Sequence, residues 1–206
     1  MKITEKGMLL VISGPSGCGK STIVSNILAR DDSYALSVSL TTREKREKEI
    51  DGVHYKFVTR EDFEKALEND ELLEHAEYNG NLYGTPAGPV KEMLDNGINV
   101  ILEIEIQGAK QIVQKIPDTV SILIVPSSYK ELEERLRSRK TDSEEAVRAR
   151  LEIAKREIEC YPDYEYIIIN EAGRSDDAAL DIINIVESER HRTLRNSHIP
   201  TEFFEL

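Results

Sequence analysis

The sequence predicts an α/β fold, a parallel sheet core flanked by helices, with a small α+β segment inserted into it. Three observations predict it. Short apolar runs alternate with helical patterns through much of the chain. One of the first of these units is strand, glycine loop and helix, and its loop, Gly14-Pro15-Ser16-Gly17-Cys18-Gly19-Lys20-Ser21, fits G-x-x-x-x-G-K-[ST] without mismatch. Between Leu40 and about Ala87 the alternation breaks into a polar stretch with short strand candidates of its own.

The elements follow in order. Met8 to Ile12 is an apolar strand, and Ile23, Val24, Ile27 and Leu28 mark the buried face of the helix after the loop. Ala35 to Ser39 reads as a second strand. Inside the insertion, Val53 to Val58 and Leu72 to Tyr78 are strand candidates around a helix near Asp62 to Asn69. Thr85-Pro86 has the form of a helix cap with proline at the first helical position, leading to Val90, Met93 and Leu94; Asn96-Gly97 is the stop. Ile98 to Ile106 is the clearest later strand, with Leu102, Ile104 and Ile106 on one face and Glu103 and Glu105 on the other. Val120 to Val125 and Tyr166 to Ile169 read as buried strands. A helix from about Ser128 to Arg139 turns Tyr129, Leu132 and Leu136 inward. Thr141-Asp142-Ser143-Glu144 has the form of a capping box, opening a helix with Val147, Leu151, Ala154 and Ile158 on one face. The last helix covers Asp176 to Arg190, and the tail from His191 to Leu206 has no assignment; it either packs on the body or contributes to a homodimer.

The glycine loop carries the chemistry. Its glycines let successive N–H groups turn inward toward phosphate oxygens. Lys20 then reaches the β- and γ-phosphates, the Ser21 hydroxyl is positioned to ligate Mg²⁺, and the helix opening at Lys20 adds its positive end. The expected ligand is a nucleoside triphosphate, held by Gly14, Pro15, Ser16, Gly17, Cys18, Gly19, Lys20, Ser21 and Thr22. A positive helix end lowers the pKa of a nearby thiol, which makes Cys18 a candidate for oxidative inactivation.

With 206 residues, the chain suits one compact domain. Its formal net charge of −12 argues against a general nucleic-acid binder. It leaves room for a small anionic substrate held by a local arginine cluster. Two cysteines imply no disulfide framework. The N-terminal stretch lacks signal-peptide form and no apolar run approaches a membrane span, so the expected compartment is the cytoplasm, with no membrane partner. The four histidines show no metal-ligand spacing, and the only metal expected is Mg²⁺ travelling with the nucleoside triphosphate.

The acceptor side is read from Ser37-Val38-Ser39-Leu40-Thr41-Thr42-Arg43, followed by Arg46, Glu49, Gly52 and Tyr55, then Glu74 and Gly80-Asn81-Leu82-Tyr83-Gly84-Thr85. With these motifs and the I-L-E-I-E-I-Q-G strand, the chain from about Met8 to Arg190 resembles the guanylate kinase family of bacterial type. The resemblance implies a P-loop nucleoside monophosphate kinase that phosphorylates GMP, and dGMP, with ATP in purine nucleotide metabolism. It implies a single domain, 1–206, with a core of 1–39 and 88–206, a GMP-binding insertion of 40–87 and a lid of about 137–150. Arg43, Arg46, Tyr55 and Tyr83 match the residues that hold the GMP phosphate; Ser39, Glu74 and Thr85 match those that read guanine; Glu105 matches an acidic position near the guanosine. Arg135, Arg139 and Arg150 match lid arginines on ATP and the transferred group, so that with Lys20 and Arg46 they are the expected catalytic set. Asn170 matches a position close to adenine, with a turn or cap role open beside it. Thr85 is open between helix cap and base reader. Lys140 stands where the family commonly has glycine. A monomer and a homodimer are both compatible with the chain. Two alternatives remain: a non-catalytic interaction module, against which Lys20 and Ser21 stand intact, and a related kinase with another acceptor, which has no use for Ser39, Glu74 and Thr85 as a set.

Overall fold

In a computed structural model, which describes residues 6–78, 80–138 and 143–205, two sheets and their helices account for most of the chain. The element order is β1 (Leu9–Ser13), α1 (Lys20–Arg30), β2 (Tyr34–Leu36), β3 (Leu40–Thr41), β4 (Lys56–Phe57), α2 (Arg60–Glu68), β5 (Leu72–Tyr78), β6 (Asn81–Pro86), α3 (Ala87–Asp95), β7 (Asn99–Glu103), α4 (Ile106–Lys115), β8 (Val120–Pro126), α5 (Tyr129–Ser138), α6 (Glu144–Glu159), β9 (Tyr166–Asn170), α7 (Ser175–Arg190) and α8 (Ile199–Glu205).

The main sheet has five strands in the order β2-β7-β1-β8-β9, and every pairing is parallel. Its central strands are apolar on both faces because both are covered. Leu10 and Ile12 of β1 pack with Ile23 and Ile27 of α1 and with Ala178, Ile182 and Val186 of α7. Leu9 and Val11, one residue out of phase, pack with Val90 of α3 and with Ala109 and Ile112 of α4. The loop after β1 therefore leaves the carboxyl end of the middle strand, where open α/β sheets bind ligands.

The second sheet, in the order β4-β3-β6-β5, lies within residues 40–86 and has its own apolar cluster of Leu40, Phe63, Ala66 and Leu72. A third cluster, Leu132, Leu136, Val147, Leu151 and Ala154, joins α5 to α6. The tail packs on the body. Glu189, 2 % exposed, accepts from Arg195 Nε and Nη2 at 3.2 and 3.0 Å and from Arg192, while Phe203 and Phe204 stay exposed. Among the described residues no helix is long and apolar enough to cross a membrane.

Several expectations are corrected. The strand expected over Ile98–Ile106 stops at Glu103, and α4, a helix the strand pattern conceals, begins at Ile106. Tyr83, Gly84 and Thr85 lie in β6, a strand that is not among the expected elements, and Val53–Val58 contracts to Lys56–Phe57. Thr85 is not a helix cap: Pro86 occupies that position before α3, and no side chain bonds there. Ser143 caps α6, its Oγ accepting from Ala146 N at 3.3 Å. Arg139, Lys140, Thr141 and Asp142, with the capping box expected at Thr141, lie outside the described residues. Tyr129 faces out at 48 % exposure, with the Lys155 ammonium 5.2 Å from its ring centre.

Candidate active site

The loop between β1 and α1 is shaped by backbone that only glycine tolerates. Gly14 has φ 146°, and a Cβ there would lie 2.1 Å from the Ile124 carbonyl oxygen of β8. Gly19, at φ 97°, precedes α1, and a Cβ on it would meet Asn170 Nδ2 at 2.3 Å. Cys18 N donates to Pro15 O at 3.1 Å and closes the turn. Lys20 Nζ folds back to the Gly14 carbonyl at 2.5 Å, while Ser16, Ser21 and Thr22 are exposed at the mouth.

Two distant elements brace this loop at one atom. Arg135 Nη1 from α5 and Asn170 Nδ2 from the end of β9 both donate to Cys18 O, at 2.9 and 2.7 Å. Arg135 Nη2 also donates to Asn170 O at 2.7 Å and pairs with Glu131. Asn170 is 3 % exposed, and its Oδ1 has no hydrogen-bond partner among the described residues. The Cys18 thiol is itself buried, and burial pushes it up, outweighing the downward pull of Lys20 and its N–H. The lowered thiol expected from the helix end, and with it the basis for oxidative inactivation, is thus overturned.

Glu103, at the carboxyl end of β7, accepts from Ser21 Oγ at 2.6 Å. These two hard oxygens at a helix N-terminus are a donor set suited to Mg²⁺ arriving with phosphates. Among the described residues no group of three His, Cys, Asp or Glu gathers as a metal cage. Glu105 is exposed and precedes α4. It faces Glu157 of α6, a residue with no local signal in the sequence. The Glu157 Oε2 is buried without a hydrogen-bond partner among the described residues. Burial first, then Glu105, pushes the Glu157 carboxyl up to about 7, against the pull of Lys20.

The second sheet gathers a polar cluster of its own. Arg43 Nη2 donates to Glu49 Oε1 at 2.7 Å, and its guanidinium lies 5.6 Å from the Tyr55 ring centre and 5.7 Å from that of Phe57. Tyr55 and Tyr83 meet edge to face at 5.9 Å, each half-buried. Glu49 Oε2 accepts from the Arg46 N–H at 2.8 Å, leaving the Arg46 side chain in solvent. The Arg43 hydrogen bond and then the Arg46 N–H hold the Glu49 carboxyl down at about 2. In the sequence Glu49 is one member of a charge run; its organising position emerges only in the fold.

Deeper in, Glu74 of β5 is 3 % exposed and accepts from Thr85 Oγ of β6 at 2.7 Å. Burial pushes its carboxyl up, with Thr85 and Lys115 pulling the other way. Ser39 is half-buried at the start of the same sheet, its carbonyl accepting from Lys56 N at 2.9 Å. The structure thus groups Arg43, Tyr55 and Tyr83, pairs Glu74 with Thr85, and ties Arg135 and Asn170 to the glycine loop. Arg150 sits half-buried on α6, and Arg139 is outside the described residues.

Comparison with known proteins points to one family. A family model described as guanylate kinase matches residues 6–189. A guanylate kinase of Streptococcus thermophilus is 46% identical over 194 residues, covering 94% of this chain and 92% of that one. One of Streptococcus mutans is 47% identical over 194 residues, covering 94% and 91%. The crystal structure of guanylate kinase from Anaplasma phagocytophilum superposes with a TM-score of 0.74 at 34% identity, covering 92% of this chain and 89% of that one.

Proposed function

We infer that this chain, which belongs to the guanylate kinase family, transfers the γ-phosphoryl group of ATP to GMP and yields GDP and ADP. The observation that carries the acceptor is the Glu74–Thr85 pair. The Glu74 carboxylate is 3 % exposed and bonded by Thr85, and burial still penalises its charge. Guanine offers N1–H and the N2 amine together and offsets that penalty; adenine brings no such pair of donors. Thr85 and Ser39 are then placed beside the O6 and N7 edge.

Arg43, Arg46, Tyr55 and Tyr83 are proposed to hold the acceptor phosphate, two guanidinium forks and two phenols suiting a dianion. Glu49 aims Arg43 and orders the backbone at Arg46. On the donor side the loop Gly14 to Thr22 wraps the triphosphate, and Lys20 swings from the Gly14 carbonyl to the phosphates. The orphaned Asn170 Oδ1 supports a contact to the adenine amine. Ser21 is placed to hold Mg²⁺, with Glu103 orienting its hydroxyl; the ion supplies charge neutralisation on the phosphates.

The acceptor oxygen is already anionic, so the reaction needs no general base. Catalysis is alignment of the two phosphates in line, plus cationic groups around the transferred one. Lys20, Arg46, Arg135, Arg139 and Arg150 are proposed for that charge. Residues 40–87 act as the acceptor-binding insertion and about 137–150 as the lid, closing when both substrates are bound. The acceptor range includes dGMP, since none of the proposed contacts needs the ribose 2′-OH, and the setting is the cytoplasm.

A coupled ADP-release assay with MgATP tests the reading, with GMP, dGMP, AMP and UMP offered in parallel. Turnover confined to GMP and dGMP is expected. Turnover with AMP or UMP at comparable kcat/KM overturns the acceptor assignment, and absence of turnover with GMP overturns the activity.

A further inference from the structure

We propose that helix α4 of the main body, through Gly108 and Gln111, sets acceptor-base selectivity by positioning the Glu74 carboxylate; the inference rests on Glu74 as the base reader. Glu74 sits on β5, the edge strand of its own sheet. An edge strand leaves N–H and C=O groups unpaired along one side. Here α4 supplies what a neighbouring strand would. Gln111 Nε2 donates to His75 O at 2.8 Å, and Gln111 Oε1 accepts from His75 N at 3.2 Å, so a side-chain amide takes the place of a peptide group. One turn further on, Lys115 Nζ donates to Leu73 O at 2.8 Å. The residues on either side of Glu74, in a strand that pairs with β6 of the insertion, are therefore also fastened to the main body along their other edge.

Gly108 completes the arrangement from the same helix face. A Cβ placed on it would lie 2.5 Å from Glu74 Oε2 and 3.1 Å from the carboxyl carbon. Thr85 holds Oε1 from one side; the missing side chain of Gly108 leaves the space that Oε2 occupies on the other. Backbone strain does not explain this glycine, because it lies within α4 and is not among the residues with positive φ. Alanine is the better helix former at such a position, so glycine here costs helix stability. The requirement is the carboxylate's space.

Gly108→Ala separates positioning from folding. What blocks the methyl group is the far end of a flexible side chain, so the fold accommodates it, and the carboxylate has to move. A displacement of this order can cost ~10²-fold when it falls on a reading group. We expect KM for GMP to rise at least ~10-fold, with kcat at saturating GMP and KM for ATP within ~3-fold of wild type, and discrimination against AMP reduced. In a Glu74→Asp background, where the side chain is one methylene shorter, the same substitution should cost less than ~3-fold. Gln111→Leu, which adds nothing beside the carboxylate, should raise KM for GMP several-fold with kcat unchanged, and it decides the matter if Gly108→Ala does not fold. Glu74→Ala is measured alongside. Unchanged GMP kinetics in Glu74→Ala would sink the base-reading assignment itself. Impaired GMP kinetics in Glu74→Ala with GMP KM within twofold of wild type in Gly108→Ala would overturn this inference alone, as would equal losses in kcat and both KM values.

Discussion

The glycine loop at 14–21 and the polar cluster spread over 39–85 are each assigned one of the two nucleotides, and they are made of different materials. The loop is backbone. Its shape is fixed by glycines pressed against the Ile124 carbonyl and Asn170, and by Arg135 and Asn170 converging on Cys18 O. The cluster is side chains, pre-paired before any ligand arrives: Arg43 on Glu49, Tyr55 against Tyr83, Glu74 on Thr85. A backbone site can be written in eight consecutive residues, whereas a side-chain site must be collected from several elements and held there by pairing.

If that contrast is right, the largest single effect should come from the one charged side chain of the loop. Lys20→Ala should lower kcat by ~10³-fold or more, a loss of about 4 kcal/mol of transition-state stabilisation, with the fold intact by circular dichroism. A kcat within tenfold of wild type would break the contrast, since backbone alone would then suffice. A middling effect is expected at Glu49→Gln, which keeps an acceptor but removes the charge that aims Arg43. KM for GMP should rise ~5–10-fold while KM for ATP stays put. An unchanged or lowered KM for GMP in steady-state kinetics would mean that Glu49 restrains Arg43 rather than aiming it.

The smallest effect belongs to Glu157, which lies near the loop without serving it in the proposed reaction. Its folded carboxyl, held up at about 7, takes a proton more readily than in the unfolded chain. The folded state therefore binds more protons between the ordinary carboxylate range and about pH 7, and stability falls as pH rises through that window. Glu157→Gln should accordingly stabilise the protein by roughly 1–2 kcal/mol at pH 8, after discounting for partial exposure, with the gain shrinking toward zero near pH 4.5. Urea unfolding at the two pH values measures it, and an equal gain at both would remove the titration argument.

Legibility in the sequence follows the same divide. The loop is readable because its motif is contiguous, and the parallel core because strands covered on both faces are continuously apolar. Helix α4 is hidden because Leu102, Ile104 and Ile106 carry the alternation of β7 past its end, across the two residues that separate strand from helix. Strand β6 is hidden because Gly84 and Pro86 are poor strand formers, tolerated here by pairing with β5 and β3. Tyr129 has helical spacing with Leu132 and Leu136 yet points outward under Lys155, since the α5–α6 contact is filled by the leucines. Glu157 carries no local signal at all, and Glu49 and Gly108 show only as motif members without a role; their positions depend on which distant groups the fold sets beside them.

The central claim, that donor and acceptor sites are separately built and separately breakable, is tested most directly by titration calorimetry. ATP and GMP are each titrated into wild type, Lys20→Ala and Glu74→Ala. The account predicts that Lys20→Ala binds GMP within ~3-fold of wild type, while Glu74→Ala keeps its ATP affinity and loses GMP affinity by ~10²-fold. Loss of both ligands together in either variant, or wild-type GMP affinity in Glu74→Ala, would contradict it.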